Sequence, residues 1–163
     1  MQDKDAAHTT PEGDIMKTLN NVSLSDTQVA DASVKEQSKV YRILLVEDDI
    51  SLAHLEASML TTQGYLIEVA NSGEGAITAL EASIPDLVVL DLELPGSLDG
   101  WGVFQILRTY ASTPVLLTTS AAVTVRQYLR SSDETRKTLD HLPKPYPMQT
   151  LLKRVKRMLT ITS

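Results

Sequence analysis

The sequence predicts an α/β protein built on a doubly wound, five-stranded parallel sheet with helices on both faces. Three observations carry that expectation. Nearly continuous apolar runs recur along the chain, as Ile43-Leu44-Leu45-Val46, Leu87-Val88-Val89-Leu90 and Val115-Leu116-Leu117, and such runs suit strands buried on both sides. Stretches with helical periodicity separate them, and strand–helix repeats force right-handed crossovers and a parallel sheet. The 163 residues are 42% hydrophobic and 22% charged, the balance of one ordinary core plus a modest extra segment.

Taken in order, Val40 to Glu47 reads as the first strand. Asp49 to Gln63 follows as a helix with Leu52, Leu55 and Met59 at helical spacing, stopped by Gly64. Asp49 reads as its N-cap, because a carboxylate just before an apolar-periodic run satisfies free N–H groups. Tyr65 to Ala70 is the second strand, and Ser72 opens a helix carrying Ala76, Ile77 and Leu80. Pro85 introduces the third strand, which ends on Asp91. After the loop Leu92 to Asp99, in which Asp99 shapes the turn, Gly100 opens a helix with Val103, Leu107 and Tyr110. Pro114 starts the fourth strand, Val115 to Thr119. Ser120 to Asp140 holds a poorly patterned helix, a short strand surrounds Leu142, and the last helix carries Met148, Leu151, Leu152, Val155, Met158 and Leu159. Lys153, Arg154, Lys156 and Arg157 fall opposite that apolar stripe and read as a solvated face.

Residues 1–39 have a different character. Acids outnumber bases there, aromatic residues are absent, and Thr, Ser, Asn and Gln are frequent. That composition buries too little apolar surface to offset ordering entropy. A flexible N-terminal extension is expected, with Ser25-Asp26-Thr27-Gln28 as a candidate capping box and Ile15, Met16 and Leu19 as a small apolar face. The folded domain is expected over 40–163.

Composition also excludes function classes. Without cysteine there is no disulfide scaffold, thiolate zinc site or cysteine nucleophile. A net charge of -6 and a pI near 5.0 give the whole chain no pull on nucleic acid or anionic membrane. No apolar stretch approaches the roughly 20 residues of a spanning helix, and Met1 to Lys17 lack the apolar core of a secretory signal. A soluble, acidic, cytoplasmic domain is expected.

The chemistry sits at the ends of the apolar runs. In an open α/β sheet, ligands bind beyond the carboxyl ends of the strands, where strand order reverses. There the first and third strands would bring Glu47, Asp48 and Asp91 together. Carboxylates that close are unfavourable unless a cation sits among them or protons stay bound. Oxygen-only ligands favour Mg2+ over softer metals. Thr119 closes the fourth strand with a hydroxyl, and Lys144 follows the fifth with Pro145 behind it. A carboxylate nucleophile, a metal, a hydroxyl and a lysine are the parts that stabilise a transferring phosphoryl group.

Four motifs stand in order at these strand ends: Val46-Glu47-Asp48-Asp49, then Leu90-Asp91-Leu92-Glu93-Leu94-Pro95-Gly96 with Asp99-Gly100, then Pro114-Val115-Leu116-Leu117-Thr118-Thr119, then Pro143-Lys144-Pro145. Through them the chain from about Val40 to Leu159 resembles the response-regulator receiver domain of two-component signalling. The resemblance implies a flavodoxin-like sheet of strand order 2-1-3-4-5. It implies that Asp91 is the phosphoacceptor and that Glu47, Asp48 and Asp91 hold Mg2+ with the backbone carbonyl of Glu93. Thr119 would hydrogen-bond the phosphoryl group and Lys144 would pair with it. The donor would be a sensor histidine kinase or histidine phosphotransfer protein. A downstream protein target would read the face made by the fourth helix, fifth strand and fifth helix. Self-phosphorylation and slow self-hydrolysis would be the only catalysis. No nucleic-acid partner and no membrane insertion are expected, and the protein would be a monomer or weak dimer. Because only Thr160 to Ser163 follow Leu159, no attached output domain is expected.

Departures from the family pattern refine these expectations. Leu94 to Gly100 is one residue longer than usual, with Ser97 and Leu98 both preceding Asp99-Gly100. Ser120 stands where relatives have Ala or Gly, and with Glu93 it is expected to slow small phosphodonors and attacking water. His141 stands where relatives commonly carry an inward-swinging Tyr or Phe, and by itself reads as an exposed histidine. The segment Ser120 to Asp140 is longer than usual and rich in Arg126, Arg130, Asp133, Glu134, Arg136 and Lys137. Two other functions compete. One is a receiver-like interaction module that no longer uses phosphate. The other is an aspartyl phosphohydrolase, disfavoured because no second acid is placed to protonate a leaving group.

Overall fold

The computed structural model describes residues 38–161. Of the expected N-terminal extension, only Ser38 and Lys39 are among them; the capping box at Ser25 and the face of Ile15, Met16 and Leu19 lie outside the described residues. The elements alternate as β1 (Arg42–Val46), α1 (Ile50–Thr62), β2 (Leu66–Ala70), α2 (Gly73–Ala82), β3 (Leu87–Asp91), α3 (Gly100–Tyr110), β4 (Val115–Thr119), α4 (Ala122–Ser131), β5 (Leu139–Pro143) and α5 (Met148–Ile161). All strand pairs are parallel, in the order β2-β1-β3-β4-β5. The expected α/β class and strand order are both present.

The apolar runs explain why the sheet is covered twice. Side chains alternate across a strand, and here both sets are apolar. Leu44 and Val46 of β1, Val88 and Leu90 of β3, and Val115 and Leu117 of β4 join Leu80 of α2, Phe104 and Leu107 of α3, and Val125 of α4 on one face. Ile43, Leu45, Leu87, Val89 and Leu116 join Leu60 of α1 and Leu151, Val155 and Met158 of α5 on the other. Each fully buried Leu, Ile or Phe contributes about 1.5–3 kcal/mol relative to exposure. The edge strand β2 has Leu66 and Val69 exposed.

Local signals set the helix ends. Asp49 caps α1, its Oδ1 accepting from the N–H groups of Ser51 and Leu52, as expected. Gly64 follows the last turn with φ +88°, a backbone conformation that favours glycine. Ser72 caps α2 through Gly75 N–H, and Asp99 does more than shape a turn: it caps α3 through Gly102 N–H.

Two apolar faces differ from expectation. In α1 the buried positions are Ala53, Glu56 and Leu60, each one residue beyond Leu52, Leu55 and Met59, and Leu55 is 48% exposed. The rotation sets the small Ala53 inward and carries a carboxyl into the interior, where Tyr146 hydrogen-bonds it. In α3, Val103 and Leu107 are buried as expected, but Tyr110 at the helix end is exposed and Phe104 takes its place in the core.

Candidate functional site

Two neighbouring strands deliver the acids. Val46 of β1 lies opposite Leu90 of β3, so Glu47 and Asp91 leave the sheet side by side. Both are buried, Asp91 to 2% exposure, while Asp48 is exposed. Oxygen atoms of Glu47, Asp48 and Asp91 lie within 4.8 Å of one another. The structure therefore brings together the three acids that the sequence singled out.

Lys144 supplies the counter-charge. Its Nζ donates to Asp91 Oδ2 at 2.8 Å and to Glu47 Oε2 at 2.9 Å, and its backbone N–H donates to the Thr119 carbonyl at the end of β4. Burial works against the ammonium, but its hydrogen bonds to Asp91 and Glu47 outweigh that and hold its pKa above the ordinary lysine value. Burial raises the Glu47 pKa, with the Lys144 and Asp49 hydrogen bonds opposing it. Three carboxylates against one ammonium leave the cluster anionic. Its all-oxygen donor set suits a hard divalent cation, and the residues present fit one.

The backbone orients Asp91 further. Glu93 N–H donates to Asp91 Oδ1 at 2.9 Å, so each carboxylate oxygen has a fixed donor and its remaining lone pairs stay available. Gly100 lies against the Asp91 carbonyl so closely that any Cβ would collide with it. This contact fixes the start of α3 against the site.

The remaining candidates fall around this centre. Thr119 is fully buried, with its Oγ1 accepting from Ala121 N–H at 2.8 Å. The Glu93 carboxylate reaches across to Ser120, accepting its backbone N–H at 3.1 and 3.2 Å. The link between Glu93 and Ser120 thus runs through the main chain rather than the serine hydroxyl. His141 is half-buried rather than exposed, because it lies on the central part of β5 beside Arg126 and Leu129 of α4, and its Nδ1 is buried with no hydrogen-bond partner among the described residues. The basic face of α5 is also divided. Lys153 and Lys156 are exposed, whereas Arg154 and Arg157 both pair with the buried Asp140.

Sequence reasoning missed a second buried carboxyl beneath the site. Glu56 is 1% exposed, accepts the Tyr146 hydroxyl at 2.5 Å and leaves Oε2 without a partner. Burial pushes its pKa up to about 7, opposed by the Tyr146 hydrogen bond and reinforced by the charge of Glu47. Burial and Glu56 together raise the Tyr146 pKa. Asn71 was also missed; its side-chain amide donates to the Glu47 carbonyl and ties the end of β1 to the segment after β2. The sequence signal for the pair was an aromatic hydroxyl directly behind Lys144-Pro145, where a buried hydroxyl needs a partner.

Residues 43–156 match the family model of the response regulator receiver domain. The chain belongs to the response-regulator receiver family. Among curated relatives, the DNA-binding response regulator MtrA of Mycolicibacterium paratuberculosis is 36% identical over 118 residues, which are 72% of this chain and 51% of the relative. The chain spans about half the length of the curated relatives it matches. Among solved structures, the receiver domain of the Francisella response regulator 1452 is 25% identical with a TM-score of 0.65, covering 76% of this chain and 99% of that one. The Vibrio cholerae chemotaxis protein CheY4 is 26% identical with a TM-score of 0.64, covering 74% and 100%. This receiver is thus a two-component signalling domain of flavodoxin-like fold, and no helix among its described residues is long and apolar enough to cross a membrane.

Proposed function

We propose that this receiver accepts a phosphoryl group on Asp91 from the phosphohistidine of a sensor histidine kinase or histidine phosphotransfer protein. An Asp91 carboxylate oxygen attacks phosphorus, the N–P bond breaks, and the donor imidazole leaves with the bond's electron pair. The observation that carries this reading is Asp91 itself: a carboxylate buried at the end of an apolar strand, held by Glu93 N–H and by Lys144. A carboxylate so placed suits acceptance of phosphate.

Glu47, Asp48 and Asp91, with the Glu93 carbonyl, would hold Mg2+, which when bound neutralises charge on the phosphoryl oxygens. Lys144, already on Asp91 Oδ2, pairs with one of those oxygens, and the Thr119 hydroxyl, which accepts Ala121 N–H, keeps its own proton to donate to another. An open apolar hollow lined by Leu52, Pro145, Tyr146 and Met148 adjoins Lys144 and supports the approach of a donor protein from that side. Output goes to a protein target through the face of α4, β5 and α5, with catalysis limited to self-phosphorylation and self-hydrolysis.

Trp101 provides the test. It follows Gly100, which is wedged against Asp91, and it packs edge-on against Tyr128 of α4 at 4.7 Å. Adding Mg2+ and then acetyl phosphate changes its emission in two steps, and Asp91→Asn abolishes the second. A flat response from the folded protein contradicts the reading.

A further inference from the structure

Glu56 stands on a face of α1 that otherwise buries Ala53 and Leu60. A carboxyl at 1% exposure costs free energy that an apolar side chain of similar volume would not. Its compensation is the Tyr146 hydroxyl, donated to Oε1 at 2.5 Å, while Oε2 has no hydrogen-bond partner among the described residues. Tyr146 is committed in turn. Its ring packs on the core face that α1 and α5 share, where a phenylalanine would fill the same space without a hydroxyl to satisfy. The pair is costly for stability, and local rules are broken most often at functional sites.

Both residues lie behind Lys144. Tyr146 follows it by two positions, between the end of β5 and the start of α5. The Lys144 backbone N–H donates to the Thr119 carbonyl at 2.9 Å, and Tyr146 is bonded to α1. Thr118 of β4, which pairs in register with Asp91, also acts on the Tyr146 hydroxyl and opposes the rise that burial and Glu56 impose on its pKa. The main chain carrying Lys144 is therefore held to β4 on one side and to α1 on the other. From that clamp a flexible four-carbon stem carries the ammonium to Asp91 Oδ2 at 2.8 Å and Glu47 Oε2 at 2.9 Å. Fixing the root of the stem limits where its tip can go.

We propose that Glu56 and Tyr146 are positioning residues for phosphoryl acceptance: their hydrogen bond holds the segment behind Lys144 and so aims its ammonium at Asp91. Neither side chain touches the transferring group; both act through the lysine. The proposal rests on the reading of Asp91 as phosphoacceptor, but the placement of the Lys144 ammonium is measurable without any phosphoryl group.

The test uses the full chain, with Glu56→Leu, Glu56→Gln and Tyr146→Phe confirmed folded by circular dichroism. Phosphorylation by acetyl phosphate at saturating Mg2+ is followed by Trp101 emission. Glu56→Leu and Tyr146→Phe are expected to lower the maximal rate by about tenfold with the half-saturating acetyl phosphate concentration nearly unchanged, since a misaimed charge acts on the transition state. Glu56→Gln keeps an acceptor for the Tyr146 hydroxyl and retains most of the parent rate. In a Lys144→Ala background, Tyr146→Phe causes no further loss, the signature of action through the lysine; general loosening of the site would slow that background as well. Separately, the Lys144 ammonium signal in NMR of isotope-labelled protein, recorded without Mg2+ or phosphate and assigned by its loss in Lys144→Ala, shifts and exchanges faster with water in Tyr146→Phe. Parent-like rates in Glu56→Leu and Tyr146→Phe, a Glu56→Gln variant as slow as Glu56→Leu, added loss in the Lys144→Ala background, or an ammonium signal unmoved by Tyr146→Phe overturns the proposal. A parent that takes no phosphate contradicts the phosphoacceptor reading instead, and the ammonium signal then decides whether the pair positions Lys144.

Discussion

At the scale of single residues, Glu93 ties two loops together at the mouth of the site. Its N–H orients Asp91 while its carboxylate holds the Ser120 N–H across the gap. Glu93→Ala is expected to speed phosphorylation by acetyl phosphate and subsequent loss several-fold, whereas Ser120→Ala leaves both nearly unchanged because the amide makes the link. Time courses of Trp101 emission check this, and equal rates in Glu93→Ala and the parent contradict it. Glu56 makes a second prediction, on stability. Folded, it keeps its proton to about pH 7; unfolded, it releases it near 4.5. Between those values the folded state binds more protons, so stability falls as pH rises through that window and is level on either side. The loss is on the order of 3 kcal/mol. Glu56→Gln is expected to be more stable than the parent by about that amount at pH 8 and to differ little at pH 5, as read by urea unfolding. Glu47, Asp48, Asp91 and Lys144 were legible in the sequence because a charge that ends an apolar run must find a partner. Glu56 was not, because a carboxylate within a helix reads as solvent-facing until the hydroxyl of Tyr146 is placed beside it.

At the scale of elements, the poorly patterned stretch after β4 becomes α4 plus an irregular connection, and a neighbouring helix holds that connection in place. Arg108 of α3 reaches Glu134 at 2.5 Å, the carbonyls of Thr113 and Thr138 at 2.8 and 3.0 Å, and lies over the Phe104 ring at 4.7 Å. Arg108→Ala leaves these partners unsatisfied and is expected to cost about 2–4 kcal/mol. Faster amide exchange at residues 132–138 before the rest of the sheet would check it; uniform exchange would contradict it. The positions of β1, β3 and β4 followed directly from the continuous apolar runs, since both of their side-chain sets face helices, whereas the strand order came from the family resemblance. The one-residue rotation of α1 did not, because Leu52, Ala53, Leu55, Met59 and Leu60 fit either face and only packing on the sheet chooses. The Asp140 pairing with Arg154 and Arg157 was hidden for the same reason: a basic helix face reads as solvated until the opposite strand contributes an acid.

At the scale of the whole molecule, parallel strands send Glu47, Asp91, Thr119 and Lys144 to the same edge of one sheet, so the fold concentrates charge that the chain keeps far apart in sequence. The remaining anionic character makes divalent-cation binding a stability effect. Mg2+ at about a hundredfold its Kd is expected to stabilise the protein by about 2.7 kcal/mol, and Asp48→Ala, which removes an exposed acid of the cluster without emptying the core, is expected to lose most of that gain in thermal unfolding. The same edge joins α3 through Gly100, and α3 joins α4 through the Trp101–Tyr128 contact, so packed contacts run from Asp91 to α4. The central claim is that Asp91 takes a phosphoryl group, and peptide-level mass spectrometry after treatment with Mg2+ and acetyl phosphate tests it most directly. One phosphoryl mass on the peptide bearing Asp91, absent in Asp91→Asn, is the expected result; an unmodified Asp91 in the folded protein, or phosphate on another residue, would contradict it.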